Sequence, residues 1–85
     1  MPEGQSYIIS SAIVSVMPGS ENLVAFDLAA LPETEVGPIS GSKIVIILEG
    51  RTRSEVGARL AQIALMEGVI TANLVFEHVE EDTGP

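Results

Sequence analysis

A chain of 85 residues, 46% of them hydrophobic, carries a formal charge of −8 and has material for one small core and no second one. It contains no cysteine, which excludes disulfides, thiolate catalysis, iron–sulfur clusters and zinc ribbons and leaves the redox compartment open. Its cations are Lys43, Arg51, Arg53 and Arg59 against 12 acidic residues, a balance that repels phosphate backbones and anionic lipids and suits a cationic partner.

Residues 1–6 carry no basic segment ahead of an apolar one, so no export leader is expected, and these residues read as a flexible N-terminus. No apolar run reaches the roughly 18 residues that span a bilayer. Residues 7–16, rich in Ile and Val and closed by Met17, Pro18 and Gly19, predict a first strand. Ser20 is placed to cap a helix in which Val24, Leu28 and Leu31 recur at spacings of four and three, and Pro32 stops it. Residues 34–38 predict a short strand, confined to a sheet edge by Pro38. After the turn at Ser40, Gly41 and Ser42, residues 43–49 give the strongest strand signal, five consecutive aliphatic residues between Lys43 and Glu49.

Thr52 and Glu55 form a capping-box pattern, followed by an apolar stripe of Val56, Leu60, Ile63 and Met66. Gly57 weakens this helix by about 1 kcal/mol relative to Ala, with the expected return of a close approach to the sheet. Gly68 is expected as its C-cap. Residues 69–79 predict the last strand, and residues 80–85 an acidic flexible tail with no apolar side chain.

The order is βαββαβ, the split βαβ arrangement of ferredoxin-like α+β folds, with residues 7–79 as a single domain. Its sheet is antiparallel with four strands in the order 4-1-3-2, and both helices cover one face. The first and third strands are then central, and they are the most apolar segments. A strand covered on one side should alternate apolar with polar residues, and the third strand does not. With Ile44, Ile46 and Leu48 toward the helices, Val45 and Ile47 point to the uncovered side. In the first strand Ile8, Ala12, Val14 and Val16 point inward and Ile9, Ser11, Ile13 and Ser15 outward. Strict alternation in the last strand puts Ile70, Ala72, Leu74 and Phe76 inward and Thr71, Asn73, Val75 and Glu77 outward.

The expected product is an apolar strip with a polar and acidic border, a surface that soluble monomers seldom leave without an interaction purpose. Full burial of Ile9, Ile13, Ile47 and Val75 offers about 6 to 12 kcal/mol gross. Association entropy removes about 4 kcal/mol or more, so tight binding requires charge complementarity as well. Two occupants fit the pattern: a cationic, apolar partner on a monomer, or an identical sheet in a homodimer that shelters a small ligand or acts as a regulatory module.

No enzyme signature accompanies this surface. His78 is the sole histidine, and Ser10, Ser11 and Ser15 lack an adjacent base, so neither a triad nor a multi-histidine metal site is expected. Glu77, Glu80, Glu81 and Asp82 lack the oxygen spacing and glycine turn of a calcium loop. RNA-binding sheets need exposed aromatics on the central strands, where this chain has Ile, Val and Ser. Metal-carrying relatives of the fold use paired cysteines where this chain has Met17, Pro18, Gly19 and Ser20. No metal or cofactor is expected.

The run Ile9, Ser10, Ser11, Ala12, Ile13, Val14, Ser15, Val16, then Pro18, resembles the opening strand of the NapD family, assembly chaperones of periplasmic nitrate reductase. Leu31 and Pro32 with Glu35 and Val36, the apolar residues 43–50, Glu67, Gly68 and Val69, and Leu74, Val75 and Phe76 continue the likeness over residues 7–82. It departs at Phe76, Glu77 and His78, where relatives often place Tyr directly before His, and at the inserted Gly37 and Pro38. The resemblance implies a cytoplasmic, non-enzymatic protein that binds no molybdenum itself. Its implied partner is the twin-arginine (Tat) signal peptide of the reductase's catalytic subunit, held back from export until the cofactor is loaded. Such a leader sets a cationic pair beside an apolar stretch and can lie on the sheet as an amphipathic helix. Ile9, Ser11, Ile13, Val45, Ile47 and Val75 are the expected floor, and Glu49, Glu77 and Glu35 the residues expected to meet the arginines.

Overall fold

The computed structural model describes residues 5–82, and the side chains of residues 7–79. Six elements follow one another: β1 (Gln5–Val16), α1 (Glu21–Ala29), β2 (Thr34–Ser40), β3 (Lys43–Gly50), α2 (Arg53–Ala64) and β4 (Val69–Asp82). The sheet runs β2-β3-β1-β4 with antiparallel neighbours throughout, which is the order 4-1-3-2 read from the other edge. Of the ends expected to be flexible, residues 1–4 and 83–85 lie outside the described residues. Gln5 and Ser6 belong to β1 and pair with Asp82 and Glu81 of β4, so both strands run past their expected limits.

Alternation along the two central strands builds the core. Ile8, Ala12, Val14 and Val16 of β1 and Ile44, Ile46 and Leu48 of β3 are buried in one cluster with Val24 and Leu28 of α1 and Val56 and Ile63 of α2. Both helices therefore cover the same side of the sheet. Ser10 is buried on this side too, and its hydroxyl has no hydrogen-bond partner among the described residues, the kind of group whose desolvation costs about 1–3 kcal/mol.

The helix termini differ from the sequence expectation in detail. Ser20 stands at the N-cap of α1, but its backbone (φ −97°, ψ 4°) is not extended and its side chain makes no cap bond. Glu21 ties this corner instead: the Gly19 amide donates to Oε1 at 3.0 Å and the Ser42 hydroxyl to Oε2 at 3.4 Å. At α2 the extended Thr52 accepts from the Glu55 amide through Oγ1 at 3.1 Å. The return bond goes one residue further back than a capping box requires, from the Arg51 amide to Glu55 Oε1 at 2.8 Å. The helix ends at Ala64 with Leu65 as C-cap, not at Gly68. Gly68 lies in the turn into β4 at φ +89°, where a Cβ would stand 3.0 Å from Val24 Cγ2 of α1. Gly57 serves no close approach, since a Cβ there would meet nothing within 4 Å.

β2 is an edge strand, as Pro38 requires, and extends to Ser40. Its register jumps from Val36 opposite Ile46 to Ile39 opposite Ile44, so Gly37 and Pro38 together oppose Val45. A proline at an edge bulge removes no required ladder bond. Gly37 lets the bulge lie close, because a Cβ there would sit 3.1 Å from the Val45 carbonyl oxygen.

Candidate functional site

The side of the sheet away from the helices is built in rows, because residues paired across an antiparallel ladder share a face. From one end the rows read Glu49, Ile9 and His78; then Glu35, Ile47, Ser11 and Phe76; then Val45, Ile13 and Asn73; then Lys43, Ser15 and Thr71. Ile9, Ser11, Ile13, Val45 and Ile47 are all half-buried between neighbouring strands, and no helix lies over them. Five of the six residues expected as the floor therefore share one face. Glu35 and Glu49 are exposed at its border, directly opposite Ile47 and Ile9.

β4 places one expected acidic residue on the other side and sets the sixth floor residue, Val75, 56% exposed, in a bulge. Ser11 pairs with Phe76 and Ala12 with Leu74, so Val75 is an extra residue with no partner on β1. This bulge reverses the alternation beyond it. Phe76 and His78 come to the open side, and Glu77, opposite the buried Ser10, turns to the helix side. There its carboxylate pairs with Arg53 of α2, Nε to Oε2 at 3.1 Å, and does not border the open face. A second bulge leaves Ile70 between Val16↔Val69 and Ser15↔Thr71, and Ile70 is 55% exposed, not inward. Val69 and Ala72 pack on the core in its place.

The acidic end of the face carries a cavity of about 240 Å³ lined by Glu33, Thr34, Glu35, Ile47 and Glu49. Three glutamates and no Lys or Arg are among its lining residues, together with an isoleucine of the apolar floor. A neighbouring cavity of about 170 Å³ shares Glu33 and Glu49 and adds Tyr7, Gly50, Arg51 and Glu55. In it the Arg51 guanidinium carbon sits 5.9 Å from the centre of the Tyr7 ring, within cation–π range. Arg59 donates to the Glu49 backbone carbonyl oxygen at 2.8 Å.

Glu33 is the residue that sequence reasoning missed. It sits between α1 and β2 at φ +55°, an uncommon backbone for a side chain with a Cβ, and its carbonyl accepts the Glu49 amide at 3.0 Å. That bond sets Glu33 beside Glu49 although 16 positions separate them. Its one sequence signal was proximity to Glu35 just after Pro32. Among the described residues no group of three or more His, Cys, Asp and Glu has the geometry to hold a metal ion. Dispersed carboxylates beside an aliphatic wall fit a broad, weakly hydrated cation such as a guanidinium better than a compact metal ion.

Topology and face together define a ferredoxin-like α+β domain that leaves an apolar sheet side, acidic at one end, free of its own helices. The family model described as NapD protein matches residues 7–81, and the chain belongs to the NapD family. Chaperone NapD of Paracoccus pantotrophus is 46% identical over 71 residues, 84% of this chain and 63% of that protein. The chain thus spans rather less than two thirds of that relative's length. The solution structure of the E. coli Tat proofreading chaperone protein NapD matches with a TM-score of 0.78 at 20% identity, over 93% of this chain and 84% of that one. That likeness is one of fold.

Proposed function

We propose that the open sheet face binds the twin-arginine signal peptide of the catalytic subunit of periplasmic nitrate reductase. The domain then acts in the cytoplasm as a chaperone that holds the subunit back from export while its cofactor is loaded. It works by binding and not by catalysis. The observation that carries this reading is the union of an apolar floor, Ile9, Ile13, Val45 and Ile47, with a cavity of three carboxylates at its end. Such a surface complements a segment that joins two guanidinium groups to an apolar run, and family membership supports the same partner. Phe76 joins the floor from β4, and Glu33 joins Glu35 and Glu49 as a carboxylate for the arginines.

The test is calorimetric titration of the full chain with a synthetic leader of the reductase subunit. Binding is expected to weaken as salt is added, because border charges are screened over about 10 Å at 0.1 M ionic strength. A salt-insensitive isotherm would remove the electrostatic half of the reading. Ile47→Asp is expected to cut affinity by at least about tenfold while leaving the circular dichroism spectrum unchanged, since the side chain lies outside the helix-covered core. Sedimentation is expected to give a monomer; a stable dimer at low micromolar concentration would favour sheet-to-sheet self-association instead.

A further inference from the structure

We infer that the open face receives its peptide in one direction only. The arginine pair lies over Glu33, Glu35 and Glu49, and the apolar run that follows extends along β1 and β3 toward Lys43. This rests on the function proposed above and adds to it the polarity and length of the bound segment.

The face is asymmetric along the strand axis. Its first two rows hold Glu49 and Glu35, with Glu33 beside them in the shared cavity. Its third row, Val45, Ile13 and Asn73, is uncharged, and its last row, Lys43, Ser15 and Thr71, holds a cation and no carboxylate. A segment laid the other way would set its guanidinium groups beside Lys43 and its aliphatic side chains against three carboxylates. Both halves of the complementarity would be lost at once, whereas the forward direction satisfies both.

The dimensions select the form of the segment. Successive rows are two residues apart on each strand, so first to last spans about 20 Å, the length of a helix of about 13 residues. Four strands are about 14 Å from β2 to β4, wide enough for a single helix and too narrow for two. Such a helix has Glu35 on one flank and Phe76 and His78 on the other. Thirteen residues hold the arginine pair and about three turns of apolar sequence.

Paramagnetic labelling reads the direction. Synthetic leader peptides carry a nitroxide ahead of the arginines or after the apolar run, and are added in turn to the isotope-labelled full chain. The first label is expected to bleach the amide signals of Glu35 and Glu49, the second those of Ser15 and Lys43. A reversed pattern overturns the direction and leaves the proposed function standing. Equal bleaching of both ends by either label overturns it also, since the peptide then has no preferred polarity. Bleaching centred on α1 and α2 overturns the open face as the site, and absence of binding overturns function and direction together. As a second arm, joint Glu35→Gln and Glu49→Gln is expected to weaken the intact leader at least about tenfold. The same change is expected to alter binding of a leader whose arginines are replaced by glutamine by less than about twofold. Equal losses for the two leaders would place the arginines elsewhere.

Discussion

On the helix side of the sheet Ile44, Ile46 and Leu48 are sealed from solvent, while on the other side their chain neighbours Val45 and Ile47 remain half-open. The residue types are the same and the strand is the same; what differs is whether α1 and α2 lie above. The helix side closes a core from seven strand residues and four helix residues. The aliphatic residues of the other side contribute nothing to that cluster. They are more apolar than a sheet face in water requires, since such a face ordinarily carries polar residues. The border differs as well: carboxylates cluster at one end of the open face, and on the helix side Glu77 is tied to Arg53.

The sharpest way to break this contrast is to remove the same group from each side. Ile46→Ala, on the sealed side, is expected to lose about 2–5 kcal/mol in urea unfolding, as a truncation that leaves a cavity in a packed core. Ile47→Ala is expected to lose about 1 kcal/mol or less, because its side chain is already half in water. Equal losses would mean that the second face is as structural as the first.

A smaller effect locates the helix layer's own anchors. Thr52→Ala removes the acceptor for the Glu55 amide and is expected to cost about 1 kcal/mol, with leader affinity unchanged because the cap stands away from the open face. A fall in affinity would show that the position of α2 is transmitted through the sheet. Smallest of all is Arg53→Ala. Its ion pair with Glu77 joins an Arg53 side chain that is 74% exposed to a carboxylate side chain that is 27% exposed, and is expected to contribute about 1 kcal/mol or less. Loss of leader binding in this variant would return Glu77 to the site from which the β4 bulge removes it.

The β1–β3 ladder is legible in the sequence, and the β1–β4 ladder is not, for one physical reason. From Ile8↔Gly50 to Ser15↔Lys43 the first ladder advances one residue at a time, so a period of two assigns every side chain to its true side. The second ladder inserts Ile70 and Val75, and each extra residue resets the alternation that follows. Strict alternation consequently puts Glu77 on the wrong side and leaves Phe76 and His78 off the right one. Glycine or proline can flag a bulge, as Gly37 and Pro38 do in β2, but neither bulge of β4 contains one. Glu33 was out of reach for a different cause, since its place beside Glu49 depends on a bond between residues distant in sequence.

Local pattern alone determined the element order, the central strands, the side each of their residues takes and the presence of an apolar face with no helix to cover it. These depend on the periods of strand and helix and on the right-handedness of the crossovers, which act over a few residues or by general rule. Only the folded chain decided where the acidic cavity lies, that Glu33 lines it with Glu35 and Glu49, and that Phe76, not Glu77, stands on the open side. Those outcomes rest on ladder register and on a long-range carbonyl contact, both of which are settled by how strands pair and not by the residues of any one strand.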